Sequence, residues 1–159
     1  MLTQLARGRP RPRRNQIRPM PLAHLDPHVR HPLVFLTVCT AKRVRVLDNV
    51  DAHSILSTIW HESRERNGWW VGRYVIMPDH VHLFAMPDGN PESLSEWVAM
   101  WKSISARQVV IKTRASPPIW QRDYFDRFLR TRESYSAKWD YVFNNPVRAK
   151  LTERAEDWP

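Results

Sequence analysis

From residue 32 onward, apolar residues fall into runs that have the periods of strands and helices. Residues 32–40, Pro-Leu-Val-Phe-Leu-Thr-Val-Cys-Thr, are β-branched and aromatic and predict a buried strand. Apolar residues then recur at helical spacing, namely Ala52, Ile55, Leu56, Ile59 and Trp60. Asp48 or Asn49 is suited to cap the start of this first helix, and Asn67-Gly68 is a typical end.

Two further apolar runs follow the first helix directly and predict a hairpin. They cover residues 69–77 and 80–86, and Pro78-Asp79 between them is a pair typical of tight turns. A second helix is predicted from Ser93 or Ser95 to Val110 or Lys112, because apolar residues again form one stripe.

The last part of the chain predicts a short strand and one more helix. The strand covers residues 123–128 and the helix residues 133–144, and Asn145-Pro146 ends that helix. The resulting order is β-α-β-β-α-β plus one helix, which predicts an α+β, ferredoxin-like sandwich with two helices on one face. The additional helix, which carries Tyr141, is expected to cover the other face of the sheet.

The third predicted strand carries two histidines on one face. Side chains alternate along a strand, so His80 and His82 point the same way, whereas Val81, Leu83 and Ala85 point into a core. Two imidazoles at this spacing can chelate one divalent ion. The spacing alone also fits two half-buried histidines bonded to backbone or water, so both interpretations stay open.

Composition and charge divide the chain into a tail and a domain. Of the 159 residues, 1–30 form a Pro/Arg-rich tail and 31–159 a single domain. The tail holds seven arginines and one acid, Asp26, and so contributes +6 of the formal net charge of +9. A basic excess favours a nucleic-acid partner, although a solvated tail without a role fits the composition equally well.

Other features of the composition favour a cytoplasmic protein. No run is long or apolar enough to span a bilayer, and the N-terminus lacks the apolar core of a signal peptide. The lone cysteine, Cys39, cannot form an internal disulfide, which suits a reducing compartment. Most of the eight tryptophans are expected in the core, with some available to stack on bases.

Tyr141 and Asn145 lie four residues apart and therefore on one face of the last predicted helix. A tyrosine hydroxyl and an amide oxygen presented together suit a nucleophile and a third metal ligand. Tyr135, Tyr124 and Tyr74 are rival tyrosines, and for any one of them a buried ring with a bonded hydroxyl is the ordinary situation.

Two motifs resemble those of a known family. Residues 77–84, Met-Pro-Asp-His-Val-His-Leu-Phe, resemble the histidine–hydrophobe–histidine (HUH) motif of the IS200-like, single-tyrosine transposases. Residues 141–149, Tyr-Val-Phe-Asn-Asn-Pro-Val-Arg-Ala, resemble the tyrosine helix of the REP-associated branch, as do Trp120-Gln121 and the segment 126–130. The resemblance covers about residues 32–159, in the family's order.

The resemblance implies an activity and the residues that perform it. His80, His82 and Asn145 would bind Mg²⁺ or Mn²⁺, and Tyr141 would attack single-stranded, hairpin-forming DNA to give a 5′-phosphotyrosine link. It also implies a prokaryotic, nucleoid-associated cytoplasmic protein, for which a monomer is favoured and a dimer that exchanges tyrosine helices is the alternative. The more common residue of the family at position 127 is histidine, so Arg127 is given no catalytic role. Asp79, Asp140 and water remain candidates for a general base.

Basic and aromatic or polar residues around the second helix and the fourth strand are candidates for contacts with DNA. They are Lys102, Arg107, Trp120, Gln121, Arg122, Arg127, Arg130 and Arg148. For each of them a solvated charged surface, or core packing for the tryptophan, is the alternative. Two other functions stay open: a non-catalytic nucleic-acid-binding domain derived from a transposase, and a replication or conjugation initiator that uses the same histidine pair.

Overall fold

The structure, a computed structural model, describes residues 33–130 and 132–159, so the predicted tail at 1–30 lies outside the described residues. The strands are β1 (Leu33–Cys39), β2 (Trp69–Met77), β3 (His80–Pro87) and β4 (Phe125–Leu129). The helices are α1 (Val50–Asn67), α2 (Leu94–Thr113), α3 (Arg132–Phe143) and the single turn α4 (Asn145–Arg148). Short 3₁₀ turns lie at Ala41–Arg43 and Ala155–Asp157.

Capping residues fix where the two long helices begin. The Asn49 side chain accepts the Ala52 N–H at 2.8 Å, so Asn49 rather than Asp48 caps α1. Ser93 rather than Ser95 caps α2 in a reciprocal capping box with Glu96. These contacts choose between candidates that were equivalent in the sequence.

The four strands form one antiparallel sheet in the order β2-β3-β1-β4. Because β1 and β2 each pair with β3 in the antiparallel sense, they run parallel to each other with β3 between them, which is the split βαβ arrangement. The predicted α+β, ferredoxin-like class is therefore confirmed. β4 forms an edge of the sheet and β2 forms the other.

The sheet separates two apolar clusters. On one face α1 and α2 pack over Val34, Leu36 and Leu83, with Trp60 and Trp101 fully buried between the helices and the sheet. The cluster on the other face combines residues of the sheet, of α3 and of the C-terminal segment, among them Phe35, Phe84, Tyr135, Val142 and Trp158. Six of the eight tryptophans are buried in these clusters: Trp60, Trp69, Trp97, Trp101, Trp120 and Trp158.

A short helical turn follows the predicted end of α3. The last helix was expected to end at residue 144, before Asn145-Pro146, and α3 does end at Phe143, but Asn145 then begins the unpredicted turn α4 after a break at Asn144. Proline is tolerated in the first turn of a helix, where its missing N–H has no intrahelical partner to lose. The predicted strand at 123–128 was also placed early, since β4 pairs with β1 from Phe125 to Leu129.

Among the described residues, no helix combines the length and the apolar character needed to cross a membrane. The longest helix, α2, spans 20 residues but carries charged side chains along its exposed face.

Gly68 ends α1 in a left-handed conformation, and replacing it by alanine is expected to destabilise the fold. Its φ is +70°, and an added Cβ would lie 2.7 Å from Pro91 Cα and 2.8 Å from the Asp88 carbonyl oxygen. We expect Gly68→Ala to lower the free energy of unfolding by about 2–4 kcal/mol in urea titrations. Gly89→Ala is the matched control, because Gly89 has φ +65° but open space around its Cβ position. A loss of only about 1 kcal/mol is expected there, and equal losses for both variants would contradict the steric argument.

Candidate metal and tyrosine site

The β3 histidines converge with an amide from α4. His80 and His82 project from the face of the sheet that α3 covers, and all three groups are almost fully buried. The two Nε2 atoms lie 3.1 Å apart, and Asn145 Nδ2 lies 3.3 Å from His80 Nε2 and 3.1 Å from His82 Nε2. The three side chains predicted as metal ligands therefore meet at one point.

Two hydrogen bonds behind the histidines fix the direction of the rings. Asp79 Oδ1 lies 2.7 Å from His80 Nδ1, and Thr37 Oγ1 lies 2.8 Å from His82 Nδ1. When each Nδ1 carries the proton, it donates to these oxygens and leaves the Nε2 lone pair free toward the shared point. The His82 ring also stacks on Phe35, with 5.6 Å between ring centroids.

The donor set fits a divalent ion. Two imidazole nitrogens and one amide suit an ion such as Mn²⁺ or Zn²⁺ better than Mg²⁺, which prefers oxygen. The Asn145 amide would present its oxygen to an ion after a half-turn about its last side-chain bond. Among residues 33–130 and 132–159, no group of three or more His, Cys, Asp or Glu side chains is placed to hold a metal. Asn145, which contacts both Nε2 atoms, is therefore the side chain placed to serve as a third ligand beside the histidines.

The surroundings of the site lower the pKa values of His82 and Asp79. Burial of the ring lowers the pKa of His82 well below its usual 6.5, and interactions with His80 and three nearby cations add to the shift. Those cations are Lys138, Arg43 and Arg148. Burial raises the pKa of Asp79, but the hydrogen bond from His80 and the charges of His80 and Arg43 offset this and hold it below its usual value. His82 is therefore neutral and Asp79 ionised near neutral pH.

Arg43 also belongs to the site, although no pattern in the sequence indicated it. Its guanidinium donates to Asp79 at 3.0 Å, contacts Cys39 Sγ at 2.6 Å and lies 3.4 Å from His80 Nδ1. The 3₁₀ turn after β1 brings it there through left-handed backbone at Lys42 and Arg43, with φ values of 52° and 58°. Non-glycine residues in this region are uncommon and cluster at functional sites.

Replacing Asp79 by asparagine is expected to weaken metal binding by about 10- to 100-fold, because the amide no longer supplies the charge that fixes the His80 tautomer. Calorimetric titration with Mn²⁺ measures this effect directly. Asp88→Asn is the control, since the Asp88 carboxylate pairs with Arg64 at the surface. Unchanged Mn²⁺ affinity in Asp79→Asn would remove the orienting role that we assign to this carboxylate.

Tyr141 differs from the other three tyrosines in its exposure. It lies in the last turn of α3 and is 43% exposed, with Lys138 Nζ 5.8 Å and Arg148 Cζ 3.9 Å from its ring centroid. Tyr135 is 1% exposed and packs edge-on against Phe84, and burial raises its pKa. Tyr74 packs against Trp60 on the far side of the sheet, and Tyr124 is partly buried, with a pKa raised by burial and by Asp126.

The residues proposed to contact DNA divide into two groups. Arg127, Arg130 and Arg148 are exposed near Tyr141, and the first two line the cleft between β4 and α3. The other five lie on or near α2, across the sheet, or at the end of β1: Lys102, Arg107, Trp120, Gln121 and Arg122.

Two of these five residues, Lys102 and Trp120, form side-chain hydrogen bonds within the protein. Lys102 Nζ donates to the carbonyl oxygens of Gln121 and Arg122, at 2.7 and 2.8 Å, and burial lowers its pKa. Trp120 is buried, and its Nε1 donates to Ser105 Oγ at 2.9 Å. The side chains of Arg107 and Arg122 are exposed.

Comparison with known proteins identifies relatives of this architecture. The REP-associated tyrosine transposase of Escherichia coli K12 is 26% identical over 108 residues, which are 67% of this chain and 59% of that protein. A Haemophilus influenzae protein with the same family name is 28% identical over 93 residues, 53% of each chain. The chain thus spans little more than half the length of these curated relatives.

A solved structure has the same fold. It is that of a REP-associated tyrosine transposase bound to a REP hairpin, with a TM-score of 0.62 at 22% identity over 80% of this chain and 74% of that chain. A sequence model of the family described as "Transposase IS200 like" matches residues 31–145, which include His80, His82, Tyr141 and Asn145. The match covers most of the chain and agrees with the family resemblance of the two motifs, so this protein belongs to the IS200-like transposase family.

Proposed function

We propose that the protein is a metal-dependent, single-tyrosine endonuclease and strand transferase that acts on single-stranded, hairpin-forming DNA. One observation carries the proposal: His80, His82 and Asn145 converge on one point, and Asn145 lies one turn beyond the exposed Tyr141. The relatives support the choice of substrate, since one of them is described in complex with a REP hairpin.

In this proposal each residue has one task. His80 and His82, with the Asn145 amide oxygen, hold Mn²⁺ or Mg²⁺, which when bound withdraws charge from the scissile phosphate and stabilises the leaving oxygen. The Tyr141 hydroxyl oxygen forms a bond to phosphorus, the bond from phosphorus to the 3′ oxygen breaks, and a 5′-phosphotyrosine link and a 3′-OH result. The phenolic proton passes to solvent, and the departing 3′ oxygen takes up a proton.

Asp79 is not the general base in this scheme. Its two carboxylate oxygens are occupied by His80 and Arg43, and its pKa is held below the usual range. A carboxylate so engaged orients a ligand better than it accepts a proton. Because one phosphodiester replaces another, a second 3′-OH can reverse the step and join two strands without a nucleotide cofactor.

The polarity of the covalent link tests the function. We expect single-stranded hairpin DNA with randomised unpaired tails to form a covalent adduct with the protein in Mn²⁺, and to form none in excess EDTA. A label at the 3′ end should stay with the protein in a denaturing gel, whereas a label at the 5′ end should appear in a free fragment that a polymerase can extend. The opposite distribution of the labels, or tight binding with no adduct, would contradict the proposal; the second result would favour a non-catalytic DNA-binding domain.

A further inference from the structure

An exposed aromatic side chain lies in the same row of the sheet as the histidine site. Phe125 on β4 is paired with Thr37 on β1, and Thr37 is paired with His82 on β3. Paired residues share a face of the sheet, so Phe125 projects on the side of the candidate site. It is 55% exposed, which is unusual for a phenylalanine within a strand.

The spacing places Phe125 within reach of the same substrate strand. Neighbouring strands lie about 4.8 Å apart, so Phe125 and His82 are separated by roughly 10 Å across β1. One or two nucleotides can bridge such a distance. A strand whose phosphate lies at the histidines can therefore place a nearby base over Phe125.

Cations line the path between the two positions. Arg127 follows Phe125 on the same face and is paired with Phe35, and Lys138 Nζ lies 5.1 Å from the Phe35 ring. These two cations, with Arg130 and Tyr141, line a cleft of about 650 Å³ between β4 and α3. None of the described residues that line this cleft is acidic, and none of the three cations forms an ion pair within residues 33–130 and 132–159.

We propose that the surface formed by Phe125 and the adjoining cleft between β4 and α3 binds an unpaired nucleotide of single-stranded DNA next to the scissile phosphate, with the base stacked on Phe125 and the backbone held by Arg127 and Lys138. The inference rests on the proposed cleavage function, since that function supplies the DNA strand. An exposed aromatic beside unpaired cations is the combination that proteins use for single strands, because every base has a π face that is accessible only when it is unstacked. A duplex would keep that face covered.

Ile111 provides a control for exposed apolar area away from this surface. It is 76% exposed near the end of α2, a helix that packs on the face of the sheet opposite to the histidine site. A general effect of exposed apolar area on DNA binding would affect both variants. A specific stacking site affects only the Phe125 variant.

The experiment measures binding without cleavage. Affinities are determined in EDTA for a hairpin with an unpaired tail, and for a series of the same DNA with one abasic site at each tail position. Phe125→Ala is expected to weaken binding by about 5- to 150-fold, Phe125→Tyr to retain wild-type affinity, and Ile111→Ala to change it less than twofold. Arg127→Gln is expected to reduce the slope of log affinity against log salt by about one.

The abasic series identifies the base that stacks. In the wild type one tail position should be sensitive to removal of its base, and in Phe125→Ala that position should lose its sensitivity. Equal affinities of Phe125→Ala and wild type, or unchanged sensitivity along the tail, would overturn the inference. In that case the protein would still form the covalent adduct. If the proposed function were wrong, no adduct would form, whereas the affinities of the variants for intact and abasic DNA could still be measured. Thermal denaturation confirms that each variant is folded.

Discussion

Tyr141→Phe is expected to abolish adduct formation, lowering its rate by more than about 1,000-fold while DNA binding changes little. The variant lacks the oxygen that forms the bond to phosphorus. The contacts of Tyr141 with Lys138 and Arg148 involve its ring and its backbone carbonyl, so phenylalanine retains them. Rates of adduct formation with the 3′-labelled hairpin measure the loss, and a filter-binding titration in EDTA measures the affinity.

Tyr135→Phe is the matched control on the same helix. The Tyr135 hydroxyl is buried and forms no hydrogen bond with another described residue, so its removal should affect neither stability nor cleavage by much. Adduct formation by Tyr141→Phe at the wild-type rate would show that another group attacks the DNA. It would contradict the assigned nucleophile without affecting the family assignment.

A mixing experiment tests whether Tyr141 acts together with the histidine pair of its own chain. Asn145 contacts the histidines of its own chain and lies four residues after Tyr141, which supports a monomer acting in cis. Mixed Tyr141→Phe and His80→Ala chains should then form no adduct. Recovery of activity on mixing would instead indicate a dimer that exchanges its tyrosine helices.

His82→Ala is expected to weaken Mn²⁺ binding by more than about 100-fold and to remove the dependence of adduct formation on added metal. The variant removes one of three converging ligands, which costs more than the loss of an orienting group behind a ligand. Calorimetric titration with Mn²⁺ measures the affinity without any need for DNA. His80→Ala should behave in the same way, since the two rings occupy equivalent positions on β3.

His61→Ala is the control, because His61 is exposed on α1 and distant in the fold from the α3 face of the sheet. Its Mn²⁺ affinity should equal that of the wild type. Thermal denaturation separates a lost ligand from a lost fold, since truncating a buried ring also removes packing. If His82→Ala bound Mn²⁺ as tightly as the wild type while folded, the ion would have to bind elsewhere on the protein.

Most of the fold could be predicted because local signals agreed with one another. The apolar runs, the turn at Pro78-Asp79 and the caps at Asn49 and Gly68 each mark a boundary that the structure reproduces within a few residues. The short edge strand β4 was placed less well, because only one neighbouring strand constrains its register and its side chains are mostly exposed. The helical turn α4 that begins at Asn145 was not predicted, since Pro146 is compatible with either ending a helix or starting one.

The direction of the histidine side chains followed from the period of a strand, which needs no knowledge of tertiary structure. Arg43 could not be found in this way, because its position depends on a left-handed turn that two ordinary basic residues adopt only in the folded chain. For Lys102 the residue was identified from the sequence, but its contacts in the folded protein were not. Its charge was visible in the sequence, but the two carbonyl oxygens that it binds come from a segment about 20 residues away.

Val81 connects the two sides of the sheet, since it lies between the histidines and faces the tryptophan-rich cluster under α1 and α2. Any change in how that cluster packs shifts the strand from which both imidazoles project. The proposed metal site is thus tied to a tightly packed core, whereas the exposed positions of the edge strand β4, among them Phe125 and Arg127, can be substituted without repacking either cluster. The residues proposed to contact DNA at this edge can therefore be varied while the strand that carries both histidines stays unchanged.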